Sequence, residues 1–191
     1  MPVSRILSHV IMAPGIVVHE FAHKLACDLT GVEVTDVSYF RLGDPPGYVR
    51  HADPATYRTA FFISVAPFVV NTLFALALFA SGLLLFESIA PLEAEVATLE
   101  AFAAAEPVTQ AGIAVLGWLG LSVGMQAFPS TGDANTLWSR TRRDLRAAPL
   151  VLAGLPVVFL IYLVNLLSWA YAHLFYALGL AAGAFWLLGA V

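Results

Sequence analysis

Charge is scarce in this chain. Asp, Glu, Lys and Arg make up 12% of its 191 residues, where a soluble domain carries about a quarter. With 60% hydrophobic residues and a mean hydropathy of +0.83, that deficit excludes an ordinary water-soluble globule. It points to a polytopic protein embedded in a lipid bilayer. Cysteine is scarcer still. Cys27 stands alone, so no intrachain disulfide can form, and the redox compartment stays open. The formal net charge is −4, and no nucleic-acid partner is expected. One Arg followed by an apolar stretch gives the N-terminus a superficial likeness to a signal peptide. The stretch runs straight into the motif described next, so it is expected to be retained.

Against this apolar background stands His19-Glu20-Phe21-Ala22-His23. On a helix His19 and His23 share one face about a turn apart, a spacing that lets two imidazoles reach one metal. Glu20 lies beside them, where a carboxylate can take a proton from an activated water. Two His and a Glu on an apolar helix are hard to satisfy without a metal, and ionisable groups inside a span are usually functional. Cys27 continues the stripe but sits two turns beyond His19, about 12 Å along the axis. That is too far for a shared ion, so it reads as a small buried thiol. His9 is too distant for the same reason and reads as a packing or interfacial residue.

The first span covers about Ile6 to Leu29, and Pro14-Gly15 is expected to kink or loosen it. Thr30 to Arg58 is a polar connection. Val32, Val34, Val37, Tyr39 and Phe40 suggest a strand, Gly43-Asp44-Pro45-Pro46-Gly47 a turn, and Tyr48-Val49 a returning strand. Asp44, His51 and Asp53 in this segment are further metal-ligand candidates, although both aspartates precede proline and suit turns. The second span, Thr59 to Phe86, is interrupted by Pro67 and Asn71. The amide has two readings, an interhelical hydrogen bond or a group facing the cavity that holds the metal. Glu87 to Pro107 carries five glutamates and no Lys or Arg and reads as a solvated linker with a short surface helix. The third span, Val108 to Phe128, has glycines at 112, 117, 120 and 124 that let helices approach closely. Asp133 follows it, either capping the next helix or offering a metal ligand, and the two roles are compatible. Pro149 to Val191 would run about 65 Å as one helix, so two spans are expected, divided near Ser168 to His173. His173 has no evident partner in sequence and reads as structural.

Eight of the nine Lys and Arg fall in two segments, Lys24 with Arg41, Arg50 and Arg58, and Arg140 with Arg142, Arg143 and Arg146. The positive-inside rule puts both in the cytoplasm and the acidic linker outside. The His pair then lies toward the cytoplasmic end of the first span. Asp133 comes to the same depth from the third.

These motifs together resemble the site-2 protease family of intramembrane zinc metalloproteases. The likeness rests on His19, Glu20 and His23 on the first core helix, Pro67 and Asn71 on the second, and Asp133 after the third. The β-rich segment Gly31 to Arg50 is also similar. It departs from the family at Gly132-Asp133-Ala134, where the glycine that usually follows the aspartate is missing, and no PDZ or CBS domain is expected. The resemblance implies Zn²⁺ held by His19, His23 and Asp133, Glu20 as general base, and Asn71 contacting substrate. It also implies a membrane-anchored protein or peptide substrate.

The expectation is therefore an all-α, multi-pass membrane protein of about five transmembrane helices with a short cytoplasmic β-hairpin after the first. Residues 1–191 form one metalloprotease domain, with its core at 6–140 and hydrophobic helices at 149–191. Its expected activity is zinc-dependent hydrolysis of peptide bonds in membrane-associated proteins, on the cytoplasmic side. The alternatives are a catalytically silent scaffold or a metal-binding protein of the same fold. An ion pathway would call for more polar residues than Asn165 and His173 supply in the later spans.

Overall fold

The computed structural model describes residues 3–89, 97–145 and 149–189. Their order is α1 (Val3–Thr30), β1 (Val34–Ser38), β2 (Tyr48–His51), α2 (Tyr57–Glu87), α3 (Ala97–Ala104), α4 (Pro107–Met125) and α5 (Thr131–Asp144). Then come a 3-10 turn (Pro149–Gly154), α6 (Leu155–Leu166), a second 3-10 turn (Leu167–Ala170) and α7 (Ala172–Gly189). Among the described residues, five segments are long and apolar enough to cross a membrane: Ile6–Thr30, Tyr57–Glu87, Pro107–Met125, Val151–Ala170 and Ala172–Gly189. The acidic linker does contain a short helix, α3, while Glu93, Glu95 and Arg146 lie outside the described residues.

Local signals set the ends of these elements. Thr56 caps α2, its hydroxyl accepting from the Thr59 N–H, and Pro107 opens α4 at a position where the missing N–H costs nothing. The third span stops at Met125 rather than Phe128. Pro129 disfavours helical backbone at the residue before it, and residues 126–130 form a short loop instead. The last apolar stretch divides at Tyr171, whose φ of 59° reverses the chain between two helices. The hairpin is antiparallel, with Val37 opposite Val49 and Ser38 opposite Tyr48.

Helix α2 is central and packs against α1, α4, α5 and α7. Its contacts rely on small residues: Ala60, Ala66 and Ala75 are buried, as are Ala22 and Ala26 on α1 and Ala177 and Ala184 on α7. Without a hydrophobic drive between helices in lipid, close backbone approach and interhelical hydrogen bonds hold such bundles together. Helix α1 runs unbroken through Pro14, and beside it, at Gly15, α4 comes close. A Cβ at Gly15 would stand 2.0 Å from the Ser122 carbonyl oxygen, so only glycine fits. The Gly15 N–H donates to Ser122 Oγ at 3.0 Å, and Trp118 Nε1 donates to the Ile11 carbonyl at 3.1 Å.

Helix α5 is tied to the opposite wall. Arg140, 5% exposed, donates to Asp53 Oδ1 and to the Pro54 carbonyl between β2 and α2. Arg143 Nη2 stands 3.6 Å from the other Asp53 oxygen. The two basic segments of the sequence therefore meet at one end of the bundle. The Arg140 hydrogen bond holds the Asp53 carboxyl below the usual carboxylate range.

Candidate metal centre

His19, Glu20 and His23 lie on α1 well inside the bundle. His23 is seven residues from the end of the helix, about 10 Å by helical rise. The two imidazole rings sit edge to face, with centroids 4.9 Å apart. Each is oriented by a backbone carbonyl of another element: His19 Nδ1 bonds the oxygen of Gln126, the C-cap of α4, at 2.7 Å, and His23 Nδ1 bonds the Ile63 oxygen of α2 at 3.0 Å. A carbonyl only accepts, so Nδ1 carries the proton in both rings. In the neutral ring that leaves Nε2 as the nitrogen with the lone pair, the form in which imidazole ligates metals.

Asp133 reaches the same place from α5. Ser130 is the N-cap of that helix, and the two residues form a capping box. Asp133 Oδ2 accepts from the Ser130 N–H at 2.9 Å and from Ser130 Oγ at 2.6 Å, while Ser130 Oγ accepts from the Asp133 N–H. The other oxygen, Oδ1, stands 3.6 Å from His23 Nε2. Capping and ligation, both open in the sequence, would thus use different oxygens of one carboxylate.

Ligand atoms of His19, His23 and Asp133 all lie within 4.8 Å of one another. Ligands about 2 Å from a shared ion stand at most about 4 Å apart, so small side-chain adjustments would close the group around one metal. Among the described residues no other cluster of this kind occurs. Two neutral imidazoles and a carboxylate form a donor set suited to zinc with a position left open.

The triad opens on a cavity of about 530 Å³, lined by residues of α1, the hairpin, the 126–130 loop, α5, α6 and α7. Glu20 is on its wall beside the histidines. Against Glu20 packs the hairpin turn: a Cβ at Gly47 would stand 2.7 Å from Glu20 Cγ. His51 also lines the cavity, but its Nδ1 bonds the Ala52 carbonyl at 2.8 Å and it is no part of the triad. Asp53 is engaged by Arg140, and Asp44 stays in the hairpin turn outside the triad.

Asn71 does not line this cavity. It is fully buried, and its Nδ2 donates to the carbonyls of Gly15, Val123 and Gln126 at 3.2–3.3 Å. These contacts are those of an interhelical tie from α2 to α1 and α4. The Gln126 oxygen that receives Asn71 also receives His19, so the amide supports that ring's acceptor from one step back. Cys27 is buried among Ala22, Ala26, Ile63 and Ala66, and His9 is not among the clustered residues.

Sequence reasoning did not single out several contributors. Gln126 and Ile63 act through backbone carbonyls, to which their side-chain chemistry gives no clue. Asn165 and His173, noted in the sequence as the polar residues of the later spans and, for His173, read as structural, also line the cavity. Asn165 Nδ2 donates to the Pro129 carbonyl at 3.0 Å and braces the loop before α5. The polarity of both residues within an apolar run was the available signal. Comparison with family models, curated proteins and solved structures gives no match to this chain.

Proposed function

We propose that this chain is an intramembrane zinc endopeptidase of the kind its motifs resemble, the site-2 proteases. The observation that carries the reading is Asp133 Oδ1 facing His23 Nε2 beside His19, with Glu20 on the same cavity. His19, His23 and Asp133 would hold the ion. Bound there, Zn²⁺ supplies Lewis-acid activation of water and of a peptide carbonyl. Glu20 accepts the proton that water loses as it attacks the carbonyl carbon, then delivers it to the departing amine as the C–N bond breaks. The backbone carbonyls of Gln126 and Ile63 keep the imidazoles in one tautomer, and Ser130 keeps Asp133 turned so that Oδ1 is available.

A peptide bond within a helix is shielded by its own hydrogen bond, so a membrane-anchored substrate must be extended at the cut. Strand β2 lines the cavity through Tyr48, Val49 and His51 and offers backbone groups for pairing with an extended segment. The clustering of Arg41, Arg50, Arg58, Arg140, Arg142 and Arg143 at this end argues for a cytoplasmic face.

The test compares membranes from cells expressing the wild type with those expressing Glu20→Gln, alongside zinc analysis of both purified proteins. Membrane-protein fragments that appear only with the wild type, while both proteins carry about one zinc, support the reading. Identical fragment patterns with zinc present would leave a metal-binding scaffold instead.

A further inference from the structure

We infer that Pro67 is a positioning residue for the metal centre: lacking an N–H, it releases the Ile63 carbonyl to His23 and thereby fixes which nitrogen of that ring faces the metal. In an α-helix the carbonyl of residue 63 is bonded by the N–H of residue 67. Here residue 67 is proline, inside the unbroken helix α2, so that bond cannot form. Ile63 and Pro67 are both fully buried, and in such surroundings a carbonyl without a donor is costly. The donor present is His23 Nδ1 at 3.0 Å.

Two liabilities cancel in this contact. The proline leaves an acceptor unpaired, and the motif helix brings a buried ring that needs a partner for its N–H. Joining them puts a proton on Nδ1 and turns Nε2 toward Asp133 Oδ1, 3.6 Å away. His19 is held in a parallel way. Its partner, Gln126, is the C-cap of α4, where the last carbonyls of a helix lack intrahelical donors. Each histidine is therefore oriented by a carbonyl that lacks its intrahelical donor, one at a helix end and the other opposite Pro67. A metal-ligating histidine whose outer hydrogen bond is lost typically costs its site roughly 10–100-fold in metal affinity.

This inference rests on the metal reading above but fails separately from it. Pro67→Ala returns an N–H that competes with His23 for the Ile63 carbonyl. Zinc affinity of the detergent-purified protein, measured by competition with a chelator, is expected to fall by roughly 10–100-fold. The thermal midpoint of the metal-free protein should not fall with it, because α2 gains a hydrogen bond. A purely structural proline would move both quantities down together. Pro14→Ala, a mid-helix change of the same type in α1, should leave zinc affinity unchanged. Wild-type affinity in Pro67→Ala, or an equal loss in Pro14→Ala, would overturn the inference and leave the zinc site standing. If the wild type binds no zinc, or Pro67→Ala does not fold, nitrogen NMR of the metal-free wild-type imidazoles decides, with His23→Ala identifying the resonances. Protonated Nδ1 on His23 supports the inference whatever the state of Nε2, and an unprotonated Nδ1 overturns it.

Discussion

Asp133 divides its carboxylate between two tasks: Oδ2 closes the capping box with Ser130, and Oδ1 faces His23 Nε2 at 3.6 Å. The helix start that fixes α5 thus also aims a carboxylate oxygen at the pair on α1.

Removing either half of that arrangement has a separable effect. Ser130→Ala should cost about 1 kcal/mol through loss of the cap and weaken zinc retention by freeing the Asp133 side chain to rotate. Asp133→Ala should abolish stoichiometric zinc. His23→Ala should do the same with the capping box intact. Zinc analysis beside thermal unfolding of the three variants checks the pattern, and zinc retained in Asp133→Ala would move the third ligand elsewhere.

Glu20 is expected to matter to turnover and not to ion binding. Glu20→Gln should reduce peptide-bond cleavage by roughly 10²–10⁴-fold, the usual contribution of a positioned general base, while zinc content stays at the wild-type level. The measurement is single-turnover cleavage of a substrate identified from the membrane comparison, with zinc determined on the same sample.

Close approach at Gly15 should be intolerant of a methyl group. Gly15→Ala places Cβ against the Ser122 carbonyl, and overpacking of this sort costs about 1–3 kcal/mol. Because α4 also supplies the Gln126 carbonyl to His19, zinc affinity should drop together with the melting temperature. Gly47→Ala meets the more yielding Glu20 side chain. It is expected to impair cleavage more than folding, as read by activity against melting temperature.

The Asp53–Arg140 clamp carries a pH signature. Arg140 lowers the folded-state pKa of Asp53 below the unfolded value of about 3.9. The unfolded chain therefore takes up the proton first as pH falls. The contribution is complete above that unfolded value and disappears as pH drops through the folded one. Melting temperatures of wild type and Asp53→Asn should differ by a constant, small amount from neutral to mildly acidic pH and converge in strong acid. Asp53 is largely exposed, so solvent screening keeps the difference modest. A difference that grew on acidification would contradict the assignment.

Much of this protein was determined by its sequence alone. Apolar runs longer than the bilayer core impose helices, because unpaired backbone cannot lie in hydrocarbon. Gly43 to Gly47 between β-prone segments imposes the hairpin turn, and the distribution of Lys and Arg brings both basic segments to one end. The spacing of His19 and His23 fixes two donors on one face before any tertiary contact exists. The tertiary structure decided the rest, because it depends on contacts between residues far apart in the chain. It turned one oxygen of Asp133 to Ser130 and the other to His23. It brought the Ile63 and Gln126 carbonyls to the two imidazoles, and drew Asn71 into the helix interfaces rather than onto the cavity wall. A sequence names side chains, whereas hydrogen bonds to backbone carbonyls depend on which helices meet and at what depth. Pro67 stands between these cases: its missing N–H is written in the sequence, but only the packing of α1 against α2 supplies the histidine that takes its place.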